Sequence, residues 1–363
     1  MTRHNLAALI AAFALIAVPT LGLADGGAAH KTKQTLPIRL GTSGGSVNDV
    51  SKAFCCGGTL GSAVLCNGTM HILSNNHVLG RSGSAVAGED TAQPGLIDSG
   101  CRATGSNIVG DYLGNIVPLG TANVDAALSV ARGGAVRTTG EILDIGVPCA
   151  IPATAAIGMP VAKSGRTSGL TTGQVRDLNL TVSVQYQRGC NSGKKFTVTY
   201  TNQISVTPGS FLVSGDSGSL MVTNDANHQP VGLLYAGSST IGIANPVQDV
   251  INAFAPRCGG AFSFVGGTCT PLASTTTGGP TATQLASATR VKERHERGLM
   301  ASPTILGVGV GEADEGSGEA VVRVYVERGQ SHAPIPDALD GVRVQVVPTE
   351  RIVALDGPGA CDR

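Results

Sequence analysis

Beginning near residue 54, apolar residues come in short runs broken by Gly, Asn, Asp or Pro. The breaks recur about every ten residues, the spacing of an all-β barrel or sandwich. GGTLGSAVL, MHILS, AALSVA, LTVSVQY and KFTVTY are such runs. A Pro-flanked stretch from Val147 to Pro152 divides the series, and a new strand set opens over Gly158 to Val175. The pattern predicts one domain over about 51–258, built as two barrels at about 51–145 and 153–258, each of ordinary size for such a unit. After the strand PVGLLYAG at 230–237, apolar residues Val247, Val250, Ile251 and Phe254 recur at helical spacing behind Pro246. That placement of proline suits a first helical turn, so a helix is expected to close the domain.

Beyond it the pattern fades. Residues 270–288 are rich in Thr, Ser, Ala, Gly and Pro, without apolar periodicity, and a linker is expected over 259–288. A charged, helix-compatible stretch from Gln284 to Ala301 follows, then ILGVGVG, AVVRVYVER and GVRVQVV as three strands. They predict a small α/β module over 289–355. Its His295 and His332 lack catalytic surroundings and read as solvated surface residues.

Composition agrees with the strand pattern. Among 363 residues there are 51 glycines, 3% aromatics and no Trp, so tight turns abound and the interior must be built from Val, Ile, Leu and Ala. Lys plus Arg and Asp plus Glu are equal at 25 each, with no dense basic run; nothing attracts nucleic acid or an anionic membrane. A polypeptide partner is the remaining expectation.

Arg3, the apolar stretch from Leu6 to Val18 and the small-residue end Gly22-Leu23-Ala24 form a signal-peptide pattern over 1–24, with cleavage after Ala24 and a lead segment over 25–50. Export permits disulfides among the nine cysteines. An odd count leaves at least one unpaired or intermolecular. With no C-x-x-C pair or Cys/His cluster at zinc spacing, no metal or other cofactor is expected. Cys55 or Cys56 with Cys66, and Cys258 with Cys269, are candidate staples.

The chemistry concentrates in two short segments. GDSGS at 215–219 presents Ser217 in a turn, and SNNHVL at 74–79 presents His77. A seryl hydroxyl is a weak nucleophile until a neutral imidazole takes its proton and a third group orients that ring. Asp125, at the mouth of the run NVDAALSV, is the candidate third group. The chain order His, Asp, Ser is that of chymotrypsin-like double barrels, distinct from the orders in α/β-hydrolases and subtilisins. His71 and His228 are rivals of His77, as Asp111 and Asp144 are of Asp125, but His71 lies inside a strand, His228 in a polar turn, and neither acid heads a comparable apolar run.

The stretch GGTLGSAVLCNGTMHILSNNHVLG resembles the chymotrypsin-like serine peptidases around their catalytic base, with Asn75 and Asn76 in place of alanines and no Cys after His77. Closer still is the resemblance to the narrow-leaf type of trypsin-like proteins, carried by SNNHV at 74–78, VDAA at 124–127, KSGRTSGLT at 163–171 and GDSGS in that order. It covers roughly residues 54–254. The resemblance implies a secreted serine endopeptidase with Ser217 as nucleophile, His77 as base and then acid, Asp125 fixing the imidazole tautomer, and an oxyanion hole from the backbone N–H groups of Gly215 and Ser217. It also raises a question about Asp216, whose counterpart in zymogen-activated relatives pairs with a new N-terminal amine; no I-V-G-G-like start precedes the first barrel. The C-terminal module resembles a small domain that usually lies ahead of the protease in this group.

Phe211, six residues before the nucleophile, stands where trypsins carry an acid at the pocket base, while Tyr235, Ala236 and Gly237 fall on the wall strand beside the substrate backbone. These three positions, Phe211, Tyr235 and Gly237, are the candidate substrate-binding residues, and they predict a preference for small or apolar side chains. The alternative function is a peptide-binding protein on the same scaffold that does not turn substrate over.

Overall fold

A computed structural model describes residues 27–271, 279–313 and 316–361. The apolar leader at 6–18 and its cleavage position lie outside the described residues. Two closed, curled sheets carry most of the chain. In the first, the strands Phe54–Leu60 and Ser62–Cys66 are two arms of one bent strand hinged at Gly61. One arm pairs with Thr42–Ser46 and the other with Thr69–Ser74, and Ala127–Ala131, Asn107–Tyr112 and Asp90–Gln93 complete the ring antiparallel. In the second, Pro160–Gly165, Gly169–Gln187, Lys195–Thr207, Gly242–Pro246, Pro230–Gly237 and Leu220–Thr223 pair in succession, and the last strand returns to the first. Closure removes the exposed edges that a chain of short apolar strands would otherwise present.

The barrel interiors are filled as the composition dictates. Ile38, Leu40, Leu60, Val64, Ile72 and Leu128 belong to a core that includes the first barrel, and Val161, Val175, Ile204, Val206, Phe211 and Val231 to one within the second. The helix Val247–Phe254 closes the domain by burying Val247, Val250 and Phe254.

The third region is joined to the barrels by strand pairing. Within 259–288, Phe262–Phe264 adds a strand to Ser62–Cys66, and the helix Ala282–Met300 begins, its first turn closed by a Thr281–Gln284 capping box. Aromatic residues at 262 and 264 have a strand edge to cover, and the capping pair outweighs the lack of apolar periodicity before it. Gly169–Gln187 runs on past the second barrel and pairs with Ile305–Glu312, which pairs with Ala320–Glu327 and then, in parallel, with Val342–Thr349. Module and barrel therefore share a sheet. Buried Asp177 ties them further, accepting from Arg323, Tyr325 and Ser205.

The expected local staples are replaced by long-range ones: Cys66 with Cys258, Cys56 with Cys190 and Cys149 with Cys269. Cys66 reaches Cys258, in the 3-10 turn after the closing helix, because its own strand neighbour at 262–264 follows shortly after Cys258. The module ends in two short strands: Val353–Ala354 lies between Pro230–Gly237 and Gly169–Gln187, and Gly357–Ala360 pairs antiparallel with Phe54–Leu60.

Candidate active site

His77 sits in a one-turn helix, Asn76–Leu79, that follows the strand Thr69–Ser74. The two asparagines that replace alanines at this point build the base's support. Asn75 donates from Nδ2 to the Asp125 carbonyl at 2.7 Å, and the backbone N–H groups of Asn76 and His77 donate to Asp125 Oδ1 at 2.7 and 3.2 Å. Asp125 Oδ2 then lies 2.5 Å from His77 Nδ1 and accepts from the Tyr186 hydroxyl at 3.0 Å. Asn245 accepts from the Asp125 amide at 3.1 Å. A buried carboxylate is costly unless its oxygens are hydrogen-bonded, and here both are. Burial pushes the Tyr186 hydroxyl well above its ordinary range, so it stays a donor.

Ser217 is fully buried. Its Oγ donates to the Tyr235 carbonyl at 3.0 Å, while His77 Nε2 has no hydrogen-bond partner among the described residues. The turn that carries it depends on Gly215, at φ +92°, where a Cβ would collide with Thr167 and Arg166. The left-handed angle and the lack of space both require glycine.

Asp216 has its partner inside the KSGRTSGLT hairpin. Its carboxylate accepts from the amides of Thr167 and Ser168 at 2.8 and 3.1 Å and from Ser168 Oγ at 2.5 Å, with Lys163 Nζ at 3.2 Å. Lys163 and Asp216 are both fully buried, and burial lowers the lysine's pKa against the pull of that carboxylate. The partner of Asp216 is thus internal, a lysine of the same hairpin whose amides it also binds. Arg166, from the same hairpin, forms a two-pronged pair with Asp98 at 2.7 and 2.6 Å and ties the second barrel to the first.

A peptide strand from the module runs through the cleft between the barrels. The Leu355 amide donates to the Tyr235 carbonyl at 3.2 Å, and the Leu355 carbonyl accepts from the Gly215 amide at 2.8 Å. Ala354 and Val353 pair with Ala236 and Gly237. The Leu355 side chain packs against the cluster containing Phe211 and Leu212, and a Cβ at Gly237 would come within 3.2 Å of its Cδ1. Asp356 follows, with Oδ1 3.4 Å from His77 Nε2. Burial alone would lower the imidazole's pKa; Asp125, Asp356 and Asp49 outweigh it and raise His77 to about 9. Asp49 is itself pushed up to about 7, by burial first and by Asp356 next.

The structure thus brings together His77, Asp125, Gly215, Ser217, Tyr235, Gly237 and, at the wall of the Leu355 pocket, Phe211. The rival residues lie elsewhere: His71 Nδ1 faces the Thr69 carbonyl, His228 sits in a turn at φ +47°, Asp111 pairs with Arg132 and Asp144 with His30. Two clusters of possible metal ligands, Cys55–Cys101–Cys361 and Asp49–Cys56–Cys190, consist mainly of sulfurs engaged in disulfides and so offer poor ligands. Sequence reasoning missed Lys163 and Asp356. An isolated Lys at the end of the short apolar run PVAK was the available signal for the first, and the second had none.

A family model described as the Nal1 C-terminal domain matches residues 114–248, a span that includes Asp125 and Ser217. No curated protein matches the chain. Among solved structures, a glutamic-acid-specific serine protease described as using a histidine triad in substrate binding is 19% identical at a TM-score of 0.42, covering 62% of this chain and 100% of its own. Thermobifida fusca protease A is 18% identical at 0.40, with 59% and 96% covered, and Cellulomonas bogoriensis chymotrypsin 21% at 0.38, with 59% and 96% covered.

Proposed function

We propose that the chain is a serine endopeptidase that cleaves peptide bonds through an acyl-enzyme formed on Ser217. The observation that carries this reading is the buried His77–Asp125 pair at 2.5 Å beside the Ser217 turn, with the Gly215 amide already holding a peptide carbonyl at 2.8 Å. In that role Asp125 fixes the imidazole with its Nδ1 proton inward, leaving Nε2 to take the Ser217 proton and return it to the leaving amine. The Gly215 amide, with that of Ser217, steadies the charge that develops on the carbonyl oxygen, a contribution of about two to three orders of magnitude in turnover per donor. The apolar cluster with Phe211 and Leu212 against which Leu355 packs fits small or apolar side chains, and Phe211 itself offers no charge to Lys or Arg. The disulfides fit an exported protein, and no helix among the described residues is long and apolar enough to cross a membrane.

One observation favours peptide binding without turnover: the Ser217 hydroxyl points to Tyr235 instead of His77. Prolonged exposure to a fluorophosphonate, followed by peptide mapping, separates the two. An adduct on Ser217, together with peptide hydrolysis that falls by several orders of magnitude in Ser217→Ala, is the expected result. Hydrolysis unchanged in Ser217→Ala would refute the assignment.

A further inference from the structure

Residues 353–357 meet the cleft as a bound peptide does. They run antiparallel to the wall strand, placing the Leu355 amide on Tyr235, the Leu355 carbonyl on Gly215 and the Leu355 side chain in the pocket by Phe211. Downstream, Gly357 and Pro358 pair with Gly57 and Cys56, and Ser214 Oγ donates to the Asp356 carbonyl. Gly357 permits the approach, since a Cβ there would meet Ile97 at 3.0 Å and the Gly215 Cα at 3.1 Å. We infer that Val353–Gly357 is an intramolecular occupant of the substrate cleft. It defines the substrate class as extended peptides with a leucine-like side chain before the scissile carbonyl and a small residue before that, and it keeps such peptides out. This rests on the peptidase reading for the word scissile; the seating itself does not.

Three features make the occupant an inhibitor rather than a transient substrate. The imidazole faces the Asp356 carboxylate at 3.4 Å with no bond to Ser217. The nucleophile is turned to Tyr235. Strand pairing on both sides, through Val353–Ala354 and Gly357–Ala360, would hold both halves of the segment in place after scission, so that religation competes with release.

A second observation, independent of the cleft, supplies a means of release. Cys101 stands within disulfide geometry of both Cys55 and Cys361, with Cα–Cα separations of 5.4 and 5.5 Å. A sulfur makes one disulfide at a time. When Cys101 is joined to Cys361, the occupant is tethered beside the cleft. Attack of the Cys55 thiolate on Cys101 Sγ forms Cys55–Cys101, breaks Cys101–Cys361 and expels the Cys361 thiolate, which takes up the proton that Cys55 gave. The exchange needs no external oxidant or reductant.

The seating is tested in the full chain carrying Ser217→Ala, so that turnover plays no part. A fluorescein-labelled peptide of residues 350–360 is titrated and its anisotropy read, with the native segment and with Leu355→Arg. Tethering gives the native segment a high effective concentration, so Leu355→Arg is expected to tighten peptide binding about 10- to 100-fold. Equal binding to both chains overturns the inference. With Ser217 restored, hydrolysis of a leucyl peptide reports separately on the peptidase reading: competition in anisotropy without hydrolysis in Leu355→Arg leaves the occupant standing and removes the enzyme. Should Leu355→Arg fail to fold, Cys361→Ser and Cys55→Ser serve instead. Cys361→Ser is expected to bind the peptide about three- to tenfold more tightly than Cys55→Ser, in which Cys101–Cys361 is the remaining pair of the trio. Identical binding, with disulfides mapped, overturns the latch.

Discussion

Two carboxylates flank one imidazole, and they are held in different ways. Asp125, on the first-barrel side of His77, is wholly buried and accepts from two backbone amides, a tyrosine hydroxyl and the ring itself. Asp356, on the side of residues 353–360, keeps 30% of its side chain exposed and meets the ring at 3.4 Å. The first is built into the closed barrels by residues distant in sequence, including Asn75, Asn76 and Asn245. The second arrives on a short strand held at the rim. A fixed anion orients a base; a removable one decides when that base is free.

The comparison breaks most sharply at Asp125. Asp125→Asn should lower hydrolysis by about 10⁴-fold, because the amide favours the wrong imidazole tautomer, whereas Asp356→Asn should raise it. Steady-state rates on a leucyl peptide measure both, and a loss in Asp356→Asn as large as that in Asp125→Asn would make the two carboxylates equivalent.

A smaller effect concerns stability. His77 is raised from an unfolded value near 6.5 to about 9 in the fold, by carboxylates acting against burial. A group whose pKa rises on folding contributes stability that is complete below about pH 6.5 and is lost as pH climbs through about 9. Thermal midpoints should therefore fall over that window. In Asp356→Asn, where the imidazole still faces Asp125 and Asp49, the fall should begin at the same pH but be smaller and end at lower pH. Superimposable profiles for the two chains would deny Asp356 its share.

The short apolar runs and the turn residues that break them about every ten residues were enough to read two barrels, because each run is the length of one strand. His77, Asp125 and Ser217 could be nominated from the segments SNNHVL, NVDAALSV and GDSGS, and the structure places the first two 2.5 Å apart. The partner of Asp216 was not, although KSGRTSGLT was in view: Lys163 becomes a buried ammonium only when the hairpin folds against the Ser217 turn. Disulfides such as Cys66–Cys258, 192 residues apart, depend on barrel closure and leave no local trace. Asp356 lay beyond the expected module boundary at 355, just ahead of a Gly-Pro-Gly stretch that reads as loop. Its place beside His77 follows from the shared sheet, which no single segment encodes.

The most direct test of the proposed peptidase site and its closure by residues 353–357 is the pH dependence of fluorophosphonate labelling at Ser217, followed by peptide mapping between about pH 6 and 10. The native chain should label slowly at neutral pH and accelerate towards about pH 9, as His77 loses its proton and its grip on Asp356, and Asp356→Asn should label faster with its rise displaced to lower pH. Labelling at Ser217 that is equally fast and equally pH-dependent in both chains, or no adduct at Ser217 in either, would contradict the account.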